Sequence, residues 1–166
     1  MNPILITIDV EECDIPLEYG FTIPLEEQLA ISKEGLAHFM QIVEEAGVPV
    51  TIFCTGVYAE NNPDWIRSLD SMHELASHGY FHGHFDASKD LPNSKKLLEK
   101  LSNKPVTGFR MARMQYVEEA EILKAGYTYH SSLNPTWIPG RYDHRDKPTK
   151  PFFEKGLWNV PASVSP

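Results

Sequence analysis

Short apolar runs rich in β-branched residues alternate along this chain with longer segments whose apolar positions recur at helical spacing, and that alternation leaves few folds open. Residues 4–8 are too short for a helix and suit a strand buried on both faces of a parallel sheet. Leu36, Phe39, Met40 and Val43 then mark an amphipathic helix between a Ser32 cap and a stop at Gly47. The pattern repeats as strand 48–54, a short helix 62–69 with Pro63 in its first turn, strand 73–77, and a helix after Ser94 marked by Leu97, Leu98 and Leu101. Strand 106–110, helix 117–124 stopped at Gly126 and strand 127–131 follow. Residues 134–155 carry four prolines and no clear period, so they read as one long irregular loop, and residues 156–164 as a sixth strand. Strands joined through helices require right-handed crossovers and parallel pairing. The expected fold class is therefore α/β, either an open doubly wound sheet or a (β/α) barrel, with chemistry gathered at the C-terminal strand ends.

A chain of 166 residues is sized for one domain, here taken as 1–166. Its formal charge of −8 would repel phosphate backbones and anionic lipid, which argues against nucleic-acid and membrane partners. Cys13 and Cys54 have no CxxC spacing, so no bridge is expected, and Cys54 reads as core. The first residues carry no basic leader and meet acids almost at once, so neither a signal peptide nor a spanning helix is expected and the default location is the cytoplasm.

The polar residues at the strand ends carry the chemistry. Strand one runs into Asp9, Glu11 and Glu12; alternation puts Asp9 and Glu11 on one face, about 7 Å apart along the strand, and Glu12 on the other unless a bulge intervenes. Taken alone, such acids are as well explained as solvated loop residues. A stronger signal follows strand three, where His78 and His82 stand four apart between Gly79 and Gly83; one helical turn would bring both imidazoles to a single cation, leaving His84 as the spare. Two histidines, a carboxylate and an open position form the ligand set of catalytic zinc sites, and Asp9 or Glu11 could complete it. Arg110, after strand four, could orient a carboxylate base or bind a substrate anion. Phe39, Phe53 and Trp65 fall where core packing is expected.

These residues resemble the polysaccharide deacetylases with the NodB homology domain, carbohydrate esterase family 4. Asp9-Val10-Glu11 resembles the first family motif, His78 and His82 in HELASHGYFH the second, Phe109-Arg110 the third, and residues 127–135 the fourth. The resemblance implies a distorted parallel (β/α) barrel of the NodB type, and N-deacetylation of an N-acetylated sugar or polysaccharide. It further implies a divalent metal, zinc being the expected ion, held by His78, His82 and Glu11. Water activated by that ion would be the nucleophile, Asp9 the general base, and Arg110 the group that holds Asp9 ionised. A backbone N–H would help stabilise the oxyanion.

Several positions depart from the pattern. Ala112 stands where the third motif has proline, and His130 where the fourth often has Asp. The fifth motif's histidine, the family's general acid, has no counterpart before Pro166; His130 and His144 are the unassigned histidines downstream. The expectation is an incomplete barrel of five or six strands, truncated or completed by a second subunit, whose open edge would favour homo-oligomers. Three other readings stay open beside the deacetylase. One is a hydrolase of a related cyclic amide; another is a catalytically incomplete metal- or glycan-binding domain using Trp137, Tyr142 and Trp158 as stacking faces. The third is a structural fragment whose histidines are polar loop residues that bind no metal.

Overall fold

The computed structural model describes residues 4–83, 85–140 and 142–163. Strand β1 (Thr7–Val10) leads through the short helix α1 (Ile15–Glu18) into the long helix α2 (Leu25–Ala46). Next come β2 (Thr51–Cys54), α3 (Gly56–Asn61), α4 (Pro63–Ser68), β3 (Glu74–Ser77) and α5 (Ala87–Ser102). The chain continues through β4 (Gly108–Phe109), α6 (Glu119–Lys124) and β5 (Tyr129–His130). A small hairpin, β6 (Trp137–Ile138) and β7 (Tyr142–Asp143), precedes β8 (Phe152–Glu154) and β9 (Leu157–Asn159).

The main sheet has the order β1-β2-β3-β4-β5-β9-β8. Its first six strands are parallel, and β8 pairs antiparallel with β9 at the edge. This is the α/β fold expected, in the form of an open stretch of barrel with β1 and β8 as its edges. The curvature is measurable. β4 lies three strands from β1, about 14 Å away on a flat sheet at ~4.8 Å per strand. Arg110 just after β4 nevertheless reaches Asp9 of β1 at 2.7 Å, so the sheet curls about this contact.

Strand register sorts the side chains. Asp9 pairs with Phe53, and Arg110 stacks 4.1 Å above the Phe53 ring, so both belong to the inner, concave face. Val10, Cys54 and Phe109 alternate to the outer face, where they join one apolar core with Leu36, Met40 and Val43 of α2, Leu91 and Leu98 of α5, and Ile122 of α6. Gly47 ends α2 in the left-handed region, φ 63°, as a glycine stop should. Phe53 and Cys54 are core; Trp65 packs edge-on against Tyr58 and Phe39 packs on the core from its margin. Both cysteines are free.

Several expectations are corrected. Residues 4–6 are exposed rather than doubly buried, because they lead into an edge strand whose pairing with β2 begins only at the Ile6 carbonyl. Helix α2 begins at Leu25 after Pro24, well before Ser32, and α5 begins at Ala87, capped by Asp86 and running through Pro92. Helix α3 was not anticipated: its six residues are too few to show a period. Residues 134–155 are not one irregular loop but hold β6, β7 and β8; two- and three-residue strands leave no alternation to read. The main sheet therefore has seven strands among the described residues, against five or six expected. No helix among them is long and apolar enough to cross a membrane.

Tight packing on the inner face gives a stability test. A Cβ on Gly108 would stand 2.1 Å from Tyr129 Cζ, on a ring whose hydroxyl donates to Glu74 at 2.8 Å. Gly108→Ala is expected to cost about 1–3 kcal/mol of overpacking, read as a lower urea midpoint at unchanged m-value.

Candidate metal centre

Four parallel strands deliver the site. Asp9 and Glu11 come from the end of β1, His78 follows β3, Arg110 follows β4 and Ser131 follows β5. Glu11 Oε2 lies 3.0 Å from His78 Nε2 and 3.1 Å from His82 Nε2. It is buried, yet makes a hydrogen bond to neither ring, so three ligating atoms converge without satisfying one another. Ligand atoms on a tetrahedral ion with ~2.0–2.1 Å bonds stand roughly 3.3 Å apart, close to what is seen, so these residues fit a small divalent cation. Among the described residues this is the one cluster of three such groups.

The histidines meet through a loop, not through the helical turn that their spacing allows. His78 to His82 is non-helical, with Gly79 at φ 81°, and the two rings lie 6.0 Å apart at 24°. His84 lies outside the described residues. The choice between Glu11 and Glu12 follows the alternation of β1. Glu12 points away and is consumed structurally, accepting from the Thr55 hydroxyl at 2.9 Å and the His82 backbone N–H at 3.0 Å.

Asp9 lies beside this cluster, its Oδ2 3.9 Å from His78 Nε2. Its other oxygen accepts from Arg110 Nη1 at 2.7 Å. Arg110 is buried and fully committed: Nη2 donates to the Thr7 and Ser131 hydroxyls at 3.0 and 2.9 Å, and Nε to the Ser131 carbonyl at 3.2 Å. With four of its five N–H groups engaged by protein acceptors, Arg110 holds Asp9 rather than facing a substrate anion. The cavity beside Asp9, about 340 Å³, is lined also by Glu11, His78, His82, Tyr19 and Arg113.

Asp14, Ser131 and Arg113 have roles that sequence reasoning missed. Asp14 Oδ1 lies 2.6 Å from His82 Nδ1, and a proton held there leaves the Nε2 lone pair facing Glu11. Arg113 in turn reaches Asp14 at 3.3 Å and Glu18 at 2.6 Å from a left-handed backbone, φ 57°. An acid two residues beyond the Asp-x-Glu-Glu run was the available signal; the serine and arginine had none.

Neither His130 nor His144 lines the Asp9 cavity. His130 alternates with Ser131 and faces outward. Trp137 and Tyr142 occupy adjacent, oppositely facing rungs of the hairpin, so they do not form one stacking surface. Burial pushes the His130 pKa down from 6.5, with Asn159 and Glu119 acting the other way. The unfolded chain therefore takes up this proton more readily. The contribution of His130 to stability is complete above about pH 6.5 and is lost as pH falls toward the folded-state value. Urea unfolding between about pH 8 and 5 should show that decline, and His130→Gln should flatten it.

The family model for polysaccharide deacetylases matches residues 29–130, a stretch that includes His78, His82 and Arg110. Three solved structures share the fold over 96% of this chain. One is a Mycobacterium smegmatis protein assigned as a polysaccharide deacetylase (23% identity, TM-score 0.72, 58% of that chain covered). A second, from Pseudomonas aeruginosa PAO1, has a like assignment (14%, 0.69, 61% covered). The third is a PuuE allantoinase (18%, 0.68, 61% covered). The chain thus spans about 58–61% of the length of these structures. No curated protein matches it.

Proposed function

The chain belongs to the polysaccharide deacetylase family, and we therefore propose that it acts as one catalytic unit that hydrolyses the acetamide of an N-acetylated sugar with a divalent cation, zinc, held by Glu11, His78 and His82. The observation that carries this reading is the convergence of three ligating atoms, with Glu11 Oε2 bonded to neither histidine, beside a carboxylate tethered by a buried arginine.

When bound, the cation supplies Lewis-acid polarisation and a more acidic water. The protein's own residues supply the rest. Asp9 keeps Oδ2 toward the cavity and takes the proton of the attacking water, while Arg110 fixes Oδ1 by its hydrogen bond. The water oxygen bonds to the carbonyl carbon, Asp9 returns the proton it took to the amide nitrogen as the C–N bond breaks, and the amine and acetate leave. Asp14 orients His82 throughout.

The test is cation stoichiometry after zinc equilibration and desalting, followed by acetate release from N-acetylated oligosaccharides. About one equivalent, absent in His78→Ala, supports the site. No bound zinc in the parent protein would remove the hydrolase reading; turnover of a cyclic amide but not an acetamide would move it to another substrate class. Asp14→Asn is expected to weaken zinc affinity about 10–100-fold by competition with a chromophoric chelator.

A further inference from the structure

We propose that the chain carries a second ligand site, a pocket of about 350 Å³ on the outer face of the sheet, floored by His130 and Asn159, that takes an uncharged sugar ring. The argument rests on the chemistry of this pocket and is independent of the cation site.

Register places the floor. His130 of β5 pairs with Asn159 of β9, so the two side chains stand next to one another on the face opposite Ser131, Arg110 and Asp9. His130 is only 8% exposed, and neither ring nitrogen meets hydrogen-bond geometry with another described residue, although the Asn159 side chain stands close enough to favour the charged ring. Leaving such a group buried and unsatisfied is unfavourable, and a ligand bound in the pocket can satisfy it. His144 lines the same pocket, and its Nδ1 is likewise buried without a partner.

The ligand class follows from what the pocket offers. Its cations are already neutralised: Lys155 lies 3.4 Å from Glu119, and Lys147 3.4 Å from Asp146. Burial disfavours the charged form of His130. An anion would therefore gain little. A neutral imidazole and a primary amide each present a donor and an acceptor, which is the complement of adjacent hydroxyls, each of which also donates and accepts. Leu133 and Phe152 give the apolar wall against which the C–H face of a ring can lie. Among the described residues His130 and His144 belong to no cluster of three converging ligating atoms.

The experiment is a titration of the ¹⁵N-labelled full chain with glucose, N-acetylglucosamine and inorganic phosphate, following the His130 ring and the Asn159 amide. Saturable shifts at both with either sugar, retained in His78→Ala, are the expected result. Asn159→Leu should weaken that binding about tenfold, and His144→Ala, at a half-buried position that should tolerate truncation, about threefold or more. Sugar-induced shifts confined to Glu11, His78 and His82, no saturable shift at His130, or a response to phosphate alone would each overturn the proposal.

Discussion

Asp9→Asn is expected to leave zinc affinity within about threefold of the parent and to slow acetamide hydrolysis about 10²–10⁴-fold, the usual worth of a positioned general base. The carboxamide is isosteric and can still accept from Arg110 through Oδ1, so the 2.7 Å contact and the curl of the sheet around it survive. What it cannot do is take a proton at the other position. Asp9 lies outside the three-atom cluster of Glu11, His78 and His82, which is why cation binding should be spared. Zinc competition and initial rates on one preparation separate the two effects. A rate loss under about tenfold would remove Asp9 as the base.

Arg110→Met is expected to produce the largest loss of stability. The guanidinium is buried against the Phe53 ring and makes four hydrogen bonds, to Asp9, Thr7 and Ser131. Removing one member of a buried ion pair costs about 3–5 kcal/mol. Asp9 is 34% exposed and regains some solvation when its partner goes, which places the expectation near the lower end, ~3 kcal/mol. Arg110→Lys should recover less than half. An ammonium cannot span three partners in the geometry of a planar fork. Urea unfolding measures both variants, and a lysine variant as stable as the parent would show that the fork is not what holds this corner.

Much of this architecture was readable in the residues. Period-3.6 spacing at Leu36, Met40 and Val43 and the stop at Gly47 located the body and end of α2, and apolar runs located β2 and β3. His78 and His82 were named from metal-ligand spacing, which left Asp9 or Glu11 as the third group; Glu11 was what the family resemblance implied. Failures came where local signals are short or ambiguous. β6 and β7 have two residues each, α3 has six, and Pro92 disguises the first turns of α5. The His78–His82 spacing suggested a helical turn because the sequence does not reveal that Gly79 takes φ 81° and turns the chain another way.

Side-chain chemistry and the direction of each residue along its own strand are local properties, set by period two and the pleat, so alternation favoured Glu11 over Glu12 without deciding between them. Which groups meet across the molecule is not local. Arg110 finds Asp9 across 101 residues, His82 finds Asp14 across 68, and His130 turns its ring away from both. These contacts depend on how far the sheet curls and on the register of each strand against the next. Both are fixed by packing of the whole outer core, and no single segment encodes them.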